Sequence, residues 1–491
     1  MSESLVRLLS NFVDGRFRDP DGGEYLDDLN PATGEVIARI PRSAASDVDE
    51  AARAARSAFE GEWGRTNSMD RAALLDKIAD GIEGRADELA NLESQDSGKP
   101  IQLARSVDIP RAVANFRFFA GAVRHDSTTC HSMSDALNYT LRRPLGVAGL
   151  ITPWNLPLYL LSWKTAPALG VGNAVIAKPS ELTPLTASAL AEIIDDVGLP
   201  AGAFNLVHGL GSEAGQAIVE DERVDMISFT GGTATGAVVA RTAAPKFKKL
   251  SLELGGKNPT LVFADADLDL AIEGACRAGF LNQGQICLCG SRILVERKIL
   301  DSFVTGLVER VRDLEPGDPS LPETRMGALV SAAHRDKIEG YVSLARDEGG
   351  TILCGGSRPK LPGRLARGAF FQPTVVVGLS PTCRTSTEEI FGPVVTVHPF
   401  DSEEEAIDIA NGVRYGLAAS LWTRDLVRAH RISAALESGM VWVNTWLKRD
   451  LRVPFGGMKD SGVGREGGWL SLDAFSELRN VCIELGPLPY S

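Results

Sequence analysis

Gly146-Val-Ala-Gly-Leu-Ile-Thr-Pro-Trp-Asn155-Leu-Pro157 opens on a five-residue apolar run and stops at a turn bracketed by prolines. Similar short runs follow at 174–177, 204–207, 226–229 and 250–252, separated by stretches of helical length. Strand-length apolar runs without polar alternation suit strands covered on both faces. Their alternation with helical stretches predicts an α/β fold built on a parallel sheet. A second α/β block begins near Asn258, with a strand over 260–263 and a helix over 267–279, and continues to about Leu436. Upstream, apolar residues recur at helical spacing over 47–58 and 69–92, which predicts surface helices. Side chains alternate over 137–143, and 481–485 forms a second short strand.

At 491 residues with 44% hydrophobic and 23% charged residues, the chain is long enough for two or three packed domains. A net charge of −13 argues against a nucleic-acid surface, which needs clustered Lys and Arg. Seven cysteines spread thinly over the chain do not form a disulfide framework, so free thiols and a reducing, cytoplasmic setting are expected. Met1 to Ser10 lacks the apolar length of a signal peptide, and no apolar run reaches the ~18 residues of a membrane span.

Three segments carry chemistry. Cys287 ends Phe280-Leu-Asn-Gln-Gly-Gln-Ile-Cys287 and is a candidate nucleophile, against the plainer reading of a buried cysteine acting as a small hydrophobe. Cys130, Cys276, Cys354, Cys383 and Cys482 fit the plainer reading. Cys289 has no companion Cys or His at ligand spacing, so no metal site is expected and a packing or redox role is left to it. Glu253, in Leu252-Glu253-Leu-Gly-Gly-Lys257, ends a buried strand where an unpaired carboxylate is costly, which favours a general base over a solvated acid. Asn155 sits in a Pro-bracketed turn and is either a turn-maker or an oxyanion donor.

In this order, and with Lys178-Pro-Ser-Glu181 and Glu389-Ile-Phe391-Gly-Pro393 also present, these motifs resemble the NAD(P)-dependent aldehyde dehydrogenase superfamily over essentially the whole chain. The resemblance implies an α/β fold with a Rossmann-like NAD-binding domain (1–130 and 146–257) and a catalytic domain (258–436). It also implies oligomerisation elements at 131–145 and 470–491, a return segment at 437–469, and a homo-oligomer, dimer or tetramer. By the same resemblance Cys287, Glu253 and Asn155 are catalytic. Thr152, Trp154, Lys178, Glu181, Gly209, Gly211, Gly215, Thr230, Gly231, Gly232, Leu254, Glu389 and Phe391 would bind the cofactor. A carboxylate at Glu181 favours NAD over NADP, and Gly232 stands where the family usually carries Ser.

Arg111, in Asp108-Ile-Pro-Arg111, and Arg449, in Trp446-Leu-Lys-Arg449, resemble the arginines of the 2-aminomuconate and 2-hydroxymuconate semialdehyde dehydrogenase branch, where they bind substrate carboxylates. That resemblance implies oxidation of 2-aminomuconate 6-semialdehyde to 2-aminomuconate in tryptophan breakdown by the kynurenine route. The rivals are an apolar aldehyde such as retinal, which would make both arginines structural, and a non-catalytic structural relative.

Overall fold

The computed structural model describes residues 6–486; residues 1–5 of the opening run and 487–491 of the expected 470–491 element lie outside the described residues. The first of two large sheets runs in the order Gly462–Val463, Lys249–Glu253, Met226–Thr230, Val147–Ile151, Ala174–Lys178, Phe204–Leu206, Asn11–Val13 and Arg16–Arg18. The five strands from Lys249–Glu253 to Phe204–Leu206 are parallel, and the rest are antiparallel to their neighbours. From Val147–Ile151 the chain winds outward through Ala174–Lys178 and Phe204–Leu206, then crosses back to Met226–Thr230 and Lys249–Glu253. That reversal opens a crevice at the carboxyl ends of Val147–Ile151 and Met226–Thr230, the position where open α/β sheets hold ligands. Val147–Ile151 is buried along its whole length. The helix Pro157–Val171 begins two residues after Asn155 and is buried nearly all round, Lys164 included.

The second sheet runs Thr351–Cys354, Thr374–Val377, Val394–Phe400, Arg292–Glu296, Pro259–Val262, Ala418–Trp422 and Met440–Val443, parallel apart from its first strand. Met440–Val443 pairs in register with Ala418 to Leu421, so main-chain hydrogen bonding carries this block past the expected boundary at 436. Farther along, Val463 and Gly462 pair with Leu252 and Glu253 at the edge of the first sheet.

A third, antiparallel sheet joins Ser476–Glu484 to Ala136–Pro144 along nine residue pairs, with Cys130–Ser132 outside. The expected strand at 481–485 is therefore longer and starts earlier. Its first half, Ser476-Glu-Leu-Arg-Asn480, is mostly exposed and polar and lacks the apolar signature of a covered strand. Cys130 and Cys482 are exposed on this sheet, which corrects the expectation that they are buried.

The expected 69–92 helix is two helices, Ser68–Gly84 and Ala86–Ser97, separated at Arg85 with φ −109° and ψ 21°. The first of them is the amphipathic surface helix expected, burying Leu75, Ile78 and Ile82 while Asp70, Lys77, Asp80 and Glu83 are exposed. Among the described residues no helix is long and apolar enough to cross a membrane.

Candidate active site

A cavity of about 270 Å³ lies at the mouth of the crevice, between the two large sheets, and gathers Trp154, Asn155, Thr230, Gly231, Gly232, Glu253, Leu254, Cys287, Glu389 and Phe391 into one lining. Those ten residues come from five separate segments of chain. Thr152, Lys178, Glu181, Gly209, Gly211, Gly215, Arg111 and Arg449 lie outside that lining.

The loop that carries the candidate nucleophile Cys287 owes its shape to backbone that residues other than glycine rarely adopt. Asn282 (φ 51°), Gln283 (φ 56°) and Gly284 (φ 69°) are all left-handed. Side chains hold this course: Asn282 Nδ2 donates to Asn155 O (3.1 Å) and Gln285 O (3.2 Å), and Gln283 Nε2 donates to Ala328 O (2.7 Å). Asn155 Nδ2 donates to Gln285 O at 3.0 Å, which locks its amide against the loop. An amide nitrogen carries two N–H groups, so this contact leaves one to serve a substrate oxygen.

Burial pushes the Cys287 thiol up to about 12, with the charges of Glu253 and Glu389 adding to the rise. The group is therefore held as a neutral thiol, and reaction at sulfur would require loss of its proton. Glu253 is buried at the end of its strand, and neither carboxyl oxygen has a hydrogen-bond partner among the described residues. Burial first, and the Glu466 charge second, hold its pKa well above the usual carboxylate range. An isolated carboxylate with raised proton affinity has the properties of a general base.

The glycines after Glu253 are required by space. A Cβ on Gly255 would fall 2.0 Å from Glu389 Oε2, and one on Gly256 would fall 2.7 Å from Asn258 Oδ1 and 3.0 Å from Cys287 O. Sequence reasoning expected a tight turn at this pair; neither has positive φ, and close approach is the reason for them. Glu389 Oε1 accepts the Gly256 N–H at 2.8 Å.

The other end of the cavity has the features of a dinucleotide site. The helix Thr233–Ala243 opens at Gly232 with no side-chain cap, so its first N–H groups face the crevice unspent, and a Cβ on Gly232 would meet nothing within 4 Å. The missing Ser hydroxyl therefore leaves open space beside an intact backbone cradle. Lys178 is buried and donates to Pro179 O (2.9 Å) and Glu181 Oε2 (3.2 Å), which rules out a solvated surface pair. Gly215 packs against Lys178 Cδ, and Gly209 (φ 137°) passes close to the Ser43 backbone; these glycines shape the strand end behind the cavity.

Sequence reasoning missed His334 and Lys337, which line the cavity from the helix Ala332–Asp347. His334 Nε2 meets Phe391 O at 2.7 Å, and Trp154 stands edge-on to both rings at 5.0 and 5.2 Å. Burial lowers the His334 pKa to about 4, so the ring is neutral at physiological pH and Nε2 is the donor. A histidine in a charged helical stretch gives no sequence signal of this role.

Arg449 is clamped between aromatic rings, its guanidinium carbon 4.5 Å from the Trp163 centroid and 4.1 Å from that of Phe455. Nη1 reaches Tyr159 Oη at 3.4 Å, while Nε and Nη2 are buried without partners. Its charge acts on both Glu253 and Cys287. Arg111 lies over the same Tyr159 ring at 5.5 Å.

The aldehyde dehydrogenase family model matches residues 17–481. The chain is 48% identical to the 2-hydroxymuconic semialdehyde dehydrogenase of Pseudomonas sp. (strain CF600), over 98% of this chain and 100% of that protein. It is 48% identical to the 2-aminomuconic semialdehyde dehydrogenase of Homo sapiens, over 98% and 99%. The NAD+ complex of an aldehyde dehydrogenase from Bacillus cereus superposes with a TM-score of 0.95 at 40% identity, covering 98% of this chain and 97% of that one. With this match along nearly its whole length, the chain belongs to the aldehyde dehydrogenase family.

Proposed function

We propose that this protein is an NAD-dependent dehydrogenase that oxidises 2-aminomuconate 6-semialdehyde to 2-aminomuconate. The observation that carries the substrate is Arg449: a buried guanidinium with two unpaired donors costs stability unless an anion completes it. Beside it Arg111 offers a second charge, so one end of a muconic semialdehyde can be held by its carboxylate while the aldehyde reaches Cys287. The 48% identity to relatives named for 2-aminomuconic and 2-hydroxymuconic semialdehydes supports the same class, and the hydroxy analogue is the second reading.

Cys287 releases its thiol proton to solvent as Sγ adds to the aldehyde carbon, and the oxygen takes the electron pair of the C=O bond. The free N–H of Asn155 and the Cys287 backbone N–H face that oxyanion. The uncapped turn at Gly231 and Gly232 with Thr230, Lys178 with Glu181, and Glu389 with Phe391 would hold NAD, with Thr152, Trp154 and Leu254 beside them. Bound there, NAD supplies the acceptor for the hydride that leaves the tetrahedral carbon. Glu253 then takes a proton from water as the oxygen attacks the thioester, releasing the carboxylate product and the thiol.

In this reading residues 1–130 and 146–257 hold the cofactor, 258–436 with the 440–443 strand carry the nucleophile, and 131–145 with 470–491 pair copies of the chain in a cytoplasmic homo-oligomer. The exposed Leu141, Leu478 and Ile483 on the third sheet support that last role. The test is kcat/KM for both muconic semialdehydes against aliphatic, aromatic and retinoid aldehydes, repeated with Arg449→Ala and Arg111→Ala. Each substitution should raise KM for the muconic substrates ~10-fold or more and spare uncharged aldehydes. Equal loss on both classes makes the arginines structural and leaves the substrate an unspecified aldehyde.

A further inference from the structure

We propose that Asn258 is a positioning residue that aims the Cys287 backbone N–H at the substrate oxygen. Its side chain is buried, with its amide nitrogen spent on the loop that carries Cys287 and its oxygen on the second sheet. Asn258 Nδ2 donates to Cys287 O at 2.7 Å and to Cys289 O at 2.9 Å, and Oδ1 accepts the Ala418 N–H at 3.0 Å. One amide thus ties two carbonyls of the loop to the second sheet.

Those carbonyls belong to a tight turn. Cys289 N donates to Ile286 O at 2.9 Å, which makes Cys287 and Leu288 the central residues, and Trp446 Nε1 holds Leu288 O at 3.1 Å. The Cys287 N–H has no acceptor among the described residues. A donor with no partner of its own is useful to catalysis only while its direction is fixed in advance. Rocking of this turn would tilt the Cys287 N–H while Sγ, free to turn about Cα–Cβ, could still meet a small electrophile, and Asn258 limits that rocking by gripping the carbonyls on either side of Leu288. Gly256 is part of the same device, because a Cβ there would strike both Asn258 Oδ1 and Cys287 O. Cys289 serves it as well, through its backbone oxygen.

This inference rests on Cys287 being the nucleophile. The experiment compares two electrophiles on the full-length enzyme. An aldehyde with NAD develops an oxyanion as the S–C bond forms, and the NADH burst reports it. Iodoacetamide forms an S–C bond, releases iodide and the thiol proton, and builds no oxyanion. Asn258→Ala should slow the burst on the order of 10- to 100-fold while changing the rate of Cys287 alkylation by less than about 3-fold. Asn258→Ser, whose hydroxyl can still hold one carbonyl, should fall between and provides the test if the alanine variant does not fold. An unchanged burst in either folded variant overturns the proposal. So does an equal fall in burst and alkylation, which would mean that the thiol itself has moved. If alkylation of Cys287 in the unsubstituted enzyme, located by peptide mass, leaves the burst intact, it is the nucleophile assignment that fails.

Discussion

Two buried glutamates near the active site differ in almost everything except burial. Glu466 Oε1 accepts from Lys164 Nζ (2.8 Å), Ser251 Oγ (3.0 Å) and Ser228 Oγ (3.2 Å). Burial alone would raise its pKa, but Lys164 and Ser251 outweigh that and keep it below the ordinary value. Glu253 has no partner, and its pKa rises. A carboxylate held by a lysine and two hydroxyls ties structure together, whereas one left bare in the same surroundings is a stored proton acceptor. The first joins the helix Pro157–Val171 to the return segment, and the second opens into the cavity with Cys287.

The largest expected effect is at Cys287. Cys287→Ser should lower turnover on the order of 1,000-fold or more and abolish the NADH burst while NAD still binds, because a serine hydroxyl is a far weaker nucleophile at neutral pH. Near-normal turnover would remove the nucleophile that gives Glu253 its task. Next comes Glu253→Gln, expected to cut steady-state turnover by roughly 100-fold or more through deacylation. The burst should survive, and an acyl adduct on Cys287 should be visible by intact mass; normal turnover with no adduct would make Glu253 as structural as Glu466. Asn155→Ala should lower kcat by about 100-fold with little change in NAD affinity, as for loss of one oxyanion donor. An unchanged kcat would confine Asn155 to its contact with Gln285.

How far the sequence carried this picture depended on how local each signal was. Val147–Ile151 is a strand with the bounds its apolar run predicts, since five buried residues flanked by glycine and a Thr-Pro turn leave little alternative. Cys287, Glu253 and Asn155 stood out because each sits in a short motif. The contacts that arm them did not. That Asn258 would clasp a loop about thirty residues on, that Gly255 would be needed to clear Glu389, or that Glu466 would saturate itself on Lys164 some three hundred residues back follows from packing between strands distant in the chain. His334 and the left-handed Asn282 and Gln283 are of the same kind, being fixed by tertiary contacts that override local preference.

The finest test of the comparison uses stability against pH, because the two glutamates have opposite signs. Glu466 has a folded pKa below the ~4.3 of an unfolded glutamate, so its stabilisation is present above that pH and is lost as pH falls through the folded value. Glu466→Gln should therefore be most destabilising near pH 7, by a few kcal/mol as for a broken buried ion pair, with the gap to the unsubstituted protein closing below about pH 4. Glu253 has a raised folded pKa, so its contribution is full below ~4.3 and is lost as pH rises through the folded value. Glu253→Gln should be near neutral in acid and increasingly stabilising toward alkaline pH, with a slope of at most about 1.4 kcal/mol per pH unit for one proton. Chemical denaturation of the three proteins from about pH 2.5 to about pH 9, taken in ~0.5-unit steps on the scale of one titration, measures both trends. If the two variants track each other with pH, the buried carboxylates share one state, and Glu253 loses the raised proton affinity on which its role as base depends.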